Sequence, residues 1–157
     1  MKELTNMSPK ELLILHGQIL DELKKRGIAK TRNQPISEYS KWLVRNKLQL
    51  KDVQNPNEKY DGIDKDGYKY LVRSRQIIDN RPVRFSVIRN IEDRNFDFLV
   101  VVTFDKNCEI TESYIIPIDF LLEEVEYNEH QNGYLLKLPQ LNLNHNRIRI
   151  IKNILRG

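Results

Sequence analysis

The sequence predicts an α/β (α+β) domain, a mixed sheet flanked by helices. Three observations lead there. A leucine-rich segment of helical period opens the chain, one apolar run stands at its centre, and Asp66-Gly67 and Asn132-Gly133 each join two strand-like segments. At 157 residues, with 39% apolar and 31% charged residues, the chain has the length and composition of one globular domain. We read 1–157 as that domain: an N-terminal helical pair over 1–50, a sheet core over 58–125, and a C-terminal hairpin and helix over 126–157.

Each element has a local reason. Ser8-Pro9-Lys10-Glu11 is a capping box with proline at the first helical position. Leu12, Leu15, Ile19 and Leu23 follow at helical spacing, with Leu13 and Leu20 beside them, and Gly27 ends the helix after Lys24-Lys25-Arg26. A basic linker leads to a second helix over about 36–48, with Tyr39 and Leu43 on one stripe. Both helices are expected to pack on the sheet.

Residues 60–64 and 68–75 read as a hairpin around "DKDG". Residues 80–94 read as irregular, with one helical turn after Pro82. "FDFLVVVTFD" is the most apolar run, and its Val and Phe content predicts a central strand covered on both faces. "CEITESYIIP" is its hairpin partner. Pro117 opens a short helix, "VEYNEHQNGYLLKLP" forms a second hairpin, and "NRIRIIKNIL" reads as an amphipathic basic helix presenting Ile148, Ile151 and Leu155.

Charge is uneven. The net charge is +4, but residues 1–50 carry ten Lys/Arg against five acids, and residues 105–129 carry eight acids against Lys106 alone. Residues 130–157 carry five basic residues and no acid. Such asymmetry predicts a basic surface and an acidic one. No apolar run approaches the roughly 18 residues of a membrane span, and the N-terminal segment lacks the apolar core of a signal peptide. Cys108 is the single cysteine. A cytoplasmic location and no membrane partner are expected; a homodimer or a protein partner fits equally.

Four segments in order, "EYSKWLV", "YDGIDKDGYKYLVRSR", "RFSVIRN" and "FDFLVVVTFD", resemble those of an uncharacterised bacterial branch of the restriction-endonuclease-like PD-(D/E)XK superfamily. The resemblance implies a restriction-endonuclease-like sheet, DNA as partner and magnesium as the cofactor of active members. Such a nuclease uses the cation to polarise the phosphate and to lower the pKa of a water. By position, the resemblance places Glu38 and Asp61 among the catalytic acids, with Asp61 as the metal ligand. Leu71 stands where a second acid belongs and Arg73 where a lysine belongs. Leucine has no ligand atom, and arginine stays protonated but can grip a phosphate. The expectation is therefore a nucleic-acid-binding, endonuclease-like domain without a working metal site. The alternatives are an active magnesium-dependent endonuclease, needing Asp64, Glu38 or Asp97 to replace the missing acid, and a protein-interaction subunit using its acidic 105–129 segment.

Asp61 reads either as a metal ligand or as the partner of Arg73, and Leu71 favours the ion pair by removing the second ligand. Glu38 also reads as an ordinary acid near a helix N-terminus. Lys69, Arg73 and Arg75 alternate along one strand face. Between Tyr70 and Asp105 every basic residue is arginine: Arg73, Arg75, Arg81, Arg84, Arg89 and Arg94. Lys69, Arg73, Arg75, Arg81, Arg84 and Arg89 are the candidate phosphate contacts, with ion pairing to Asp79, Glu92 and Asp93 as the competing reading. His16, His130 and His145 show no metal-ligand spacing, Ser74 and Ser86 have no evident triad partners, and no phosphate-binding glycine loop is present.

Overall fold

The computed structural model describes residues 2–138, 141 and 143–157. It is an α+β structure built on a five-stranded mixed sheet. Strand β1 (Gly62–Ile63) pairs antiparallel with β2 (Lys69–Gln76). β2 runs parallel to β3 (Phe98–Phe104), which pairs antiparallel with β4 (Ile110–Pro117). With a short edge strand β7 (Arg149–Ile150), the order is β1-β2-β3-β4-β7. A separate two-stranded ribbon pairs β5 (Tyr127–Asn128) with β6 (Gly133–Tyr134).

β3 is central because both of its faces are covered. Side chains alternate along a strand, so Val100 and Val102 join one core cluster while Leu99 and Val101 join the other. The first cluster gathers Val72, Phe104 and Ile115 with Leu43 and Val44 of α2 (Pro35–Leu48) and Leu155 of α4 (Lys152–Arg156). The second gathers Leu71 and Ile116 with Phe120 and Leu121 of α3 (Ile118–Glu124), together with Phe85, Ile88, Ile91 and Phe96. Leu99 is fully buried, which stabilises the fold by roughly 1.5–3 kcal/mol relative to leaving the side chain in water.

Parallel pairing of β2 and β3 requires a crossover. Here residues 77–97 make it largely without helix. Their backbone is pinned on the second hairpin: Phe85 N–H donates to Leu136 O at 3.1 Å, and Ile88 and Tyr134 exchange two bonds at 3.0 and 2.8 Å. The segments approach so closely that a Cβ on Gly133 would lie 2.2 Å from the Val87 side chain and 3.0 Å from Ile88 O. The expected helical turn after Pro82 is displaced to a 3₁₀ turn at Ile91–Asp93, where Ile91 is fully buried.

Two further expectations are corrected. Helix α1 (Pro9–Lys25) forms with its capping box, but it does not pack on the sheet. Leu20 is its one buried residue, and among the described residues neither core cluster contains a member of α1. Helical periodicity states that a face is apolar, not what covers it, and α2 already occupies that side of the sheet. The segment "NRIRIIKNIL" is not one helix. Its middle forms β7 against β4, with Ile151 N–H donating to Ser113 O at 3.0 Å, and only Lys152–Arg156 is helical. Ile148, Ile151 and Leu155 are nevertheless all buried, because a strand followed by a helical turn brings them to the core as well. The expected second hairpin is present, with a 3₁₀ turn at Glu129–Gln131 between its strands, and its final Pro139 lies outside the described residues.

Candidate nucleic-acid interface

β2 carries the expected site residues, and the pleat assigns their surroundings. Leu71 points into the core, 6% exposed. Arg73, two residues on, leaves the core only in part. Burial holds its guanidinium below the ordinary arginine value, opposed by the charge of Asp61. One terminal nitrogen donates to Val72 O at 3.2 Å, while Arg73 Nε and the neighbouring Ser74 Oγ are buried without a hydrogen-bond partner. Unsatisfied buried donors are rare in folded proteins.

Asp61 does not bridge to Arg73. Its backbone N–H donates to Tyr70 O at 2.7 Å, which fixes it against β2. One carboxylate oxygen accepts Val72 N–H at 2.8 Å, and the other pairs with Lys41 Nζ at 3.1 Å. Arg45, one turn further along α2, donates to Asp61 O at 3.3 Å. Two cations at i and i+4 thus clamp α2 onto the hairpin. The sequence reading missed Lys41. Its signal was the stripe Glu38, Lys41, Arg45 at i, i+3, i+7, flanking the apolar stripe of α2.

The remaining acids are engaged in backbone roles. Glu38 Oε2 accepts Lys30 N–H at 2.7 Å. Asp64 caps its turn, accepting Asp66 N–H and Tyr68 N–H at 2.9 Å each, and Asp97 accepts Lys69 N–H at 2.8 Å. The other Asp64 oxygen accepts the Tyr70 hydroxyl at 3.1 Å, and the Asp97 contact ties the start of β3 to the start of β2.

The cations behave differently. Among the described residues, Arg73, Arg75, Arg84 and Arg89 have no carboxylate within salt-bridge distance, whereas Arg81 pairs with Asp79 at 2.7 Å and Arg94 with Asp119 at 2.8 Å. Lys69 is diverted over the Tyr60 ring, 5.0 Å from its centroid. Three adjoining clefts collect the others. One of about 420 Å³ is lined by Lys41, Lys59, Arg73 and Arg89 together with Glu58 and Asp61. The next, of about 560 Å³, shares Lys41 and Arg73 with it and adds Arg75, Ser74 and Ser86. The third, of about 500 Å³, shares Arg75 and adds Arg81, Arg84 and Asp79. Shared residues set the three clefts side by side as one basic track.

No protein-family model matches the sequence, and no curated protein matches it. The cations of the track belong to the α2 face, the exposed end of β2 and the crossover, elements far apart in sequence. The acidic 105–129 segment is by contrast partly neutralised by pairs at the surface. Arg147 takes Glu123 at 2.5 Å, Arg94 takes Asp119, and Glu112 accepts the Tyr114 hydroxyl. Among the described residues no helix is long and apolar enough to cross a membrane.

Proposed function

We propose that the protein is a nucleic-acid-binding domain of the restriction-endonuclease-like type that holds duplex DNA by its phosphates without cleaving it. The observation that carries this reading is the row of adjoining, predominantly basic clefts from Lys59 and Arg89, past Lys41 and Arg73, to Arg75 and Arg84. Arginine forks grip phosphate oxygens bidentately, and most protein–DNA hydrogen bonds go to the backbone. Arg75, Arg84 and Arg89 are exposed and their forks are open to an anion, whereas Arg73 Nε and Ser74 Oγ are buried.

The residues present do not fit the magnesium ion that the resemblance implies. Asp61 has one oxygen on Lys41 and one on Val72 N–H, and Leu71 contributes no oxygen. Magnesium takes carboxylate ligands at about 2.0–2.1 Å in strict octahedral geometry, and a lysine at the same carboxylate competes with it. The second reading, an active magnesium-dependent endonuclease, draws on one observation: Lys41 puts a lysine back beside Asp61, in a cleft of about 190 Å³ that Glu38 and Glu58 also line.

Fluorescence anisotropy of a labelled DNA duplex over a salt series tests the proposal. Binding is expected at low salt and falls steeply as salt rises. Arg84→Ala with Arg89→Ala should lower the salt slope by about one per lost phosphate contact. Binding absent at low salt, or indifferent to salt, overturns it. Robust magnesium-dependent nicking abolished by Asp61→Ala establishes the second reading instead.

A further inference from the structure

The middle cleft of the track, of about 560 Å³, differs from its neighbours in charge. Glu58 and Asp61 line the cleft that adjoins it at Arg73, and Asp79 lines the one that adjoins it at Arg75. Among the described residues that line the middle cleft there is no carboxylate. Three cations, Lys41, Arg73 and Arg75, and three hydroxyls, Ser37, Ser74 and Ser86, line it instead. Arg75 is exposed, and Arg73 lies deeper, with its Nε and the Ser74 Oγ buried without partners. The acid that acts on Arg73, Asp61, is already held by Lys41. The floor of the cleft thus carries a desolvated cation with no carboxylate of its own.

The open edge of β2 shows what such a place accepts. β1 pairs with β2 at Lys69 and Tyr70, and beyond them no strand among the described residues runs along that edge. Val72 N–H points outward there and is met by an anion, the Asp61 carboxylate, with Lys41 beside it. In a parallel ladder alternate residues turn their N–H groups to the same side, so Ser74 N–H is the next donor on the open edge. Arg73 and Arg75 flank it in sequence, and all three residues line the cleft. The chain supplies an acid at the first of these two positions and leaves the second to a ligand. Charge selects that ligand. Two guanidiniums without an acid are matched by a dianion. A phosphomonoester carries about −1.5 to −2 charges at neutral pH, whereas a backbone phosphodiester carries a single one. Ile36 and Ile78, the latter 78% exposed, line the same cleft and offer apolar surface to the group that bears the phosphate.

We propose that the middle cleft is a phosphomonoester site, in which Arg75 and the Ser74 edge hold a terminal phosphate over the buried charge of Arg73. The phosphate belongs to a free nucleotide or to the 5′-phosphorylated end of a DNA strand, and the inference rests on the nucleic-acid reading for the second source alone. Calorimetric titration of the full chain with adenosine 5′-monophosphate and with adenosine 3′,5′-cyclic monophosphate tests it, since the two probes share a nucleoside and differ as monoester and diester. The monoester should bind at least about tenfold more tightly than the cyclic diester, and inorganic phosphate should compete with it. Arg75→Ala should weaken the monoester by about tenfold. Arg75 is exposed, so that variant should keep the far-UV spectrum of the folded chain. A second arm compares duplexes with 5′-phosphate and 5′-hydroxyl ends. Tighter binding of the phosphorylated duplex assigns the site to DNA ends, and equal binding beside a bound monoester assigns it to a free nucleotide. No monoester binding up to about 10 mM, equal affinity for the cyclic diester, or indifference to Arg75→Ala overturns the proposal, and salt-sensitive duplex binding then still leaves the nucleic-acid reading standing. Monoester binding without duplex binding does the reverse.

Discussion

Lys41 of α2 holds Asp61 at 3.1 Å, across the gap between a helix and the residue just before β1, with side chains 26% and 14% exposed. The pair decides how the hairpin is read. It satisfies the acid that otherwise faces Arg73, and it ties the cationic track to the sheet.

Removing the lysine should destabilise the fold modestly. Lys41→Met leaves Asp61 with Val72 N–H as its side-chain partner. Fully buried pairs cost about 3–5 kcal/mol to break and exposed ones under about 1, so a loss of about 1–2 kcal/mol is expected by urea denaturation. Asp61→Asn keeps an oxygen for Val72 N–H and frees the lysine, and duplex DNA affinity should rise. Unchanged stability in Lys41→Met, together with unchanged affinity in Asp61→Asn, would show that the pair carries no weight.

Arg73 should behave in the opposite way. Its guanidinium is desolvated and one donor is unsatisfied. Replacing a poorly compensated buried charge with an apolar side chain of similar length is often neutral or stabilising. Arg73→Met is therefore expected to keep or slightly raise the denaturation midpoint while weakening DNA binding. A large loss of stability would mean that Arg73, not Lys41, balances Asp61.

The core and α1 should separate cleanly in stability measurements. Leu99→Ala opens a cavity at a fully buried central-strand position and should cost about 2–5 kcal/mol. Ile14→Ala, at an exposed position of α1 outside both core clusters, should stay within about 0.5 kcal/mol. Chemical denaturation compares them, and similar losses would place α1 against the sheet after all.

Alkaline stability follows from two tyrosines. Burial, with the hydrogen bond to Asp64, pushes Tyr70 up to about 12, and burial with Glu112 does the same for Tyr114. Both stay protonated in the folded chain where the unfolded chain ionises, so the folded state binds more protons across that window. Their contribution is intact below about pH 10 and is lost as pH rises towards 12. The thermal midpoint should fall across that range, and Tyr70→Phe should flatten the fall. A midpoint independent of pH there would refute the assignment.

The sequence by itself determined the elements whose cause is local. The Ser8 box, the Asp66-Gly67 turn and the apolar run of β3 each specify one element through backbone capping, turn chemistry or burial on both faces, and their expected positions agree with the structure. It also marked the arginine-rich segment whose residues line the clefts. Tertiary structure decided everything that depends on which neighbour arrives. Arg149 and Ile150 became strand because β4 offered an open edge, and backbone pairing there outweighs a weak helical pattern. Asp61 chose Lys41 over Arg73 because α2 crosses the hairpin at that point, a distance of twenty residues that no spacing rule reaches. α1 formed where expected yet stayed off the sheet, since periodicity fixes which face is apolar while only the assembled layers fix what lies against it.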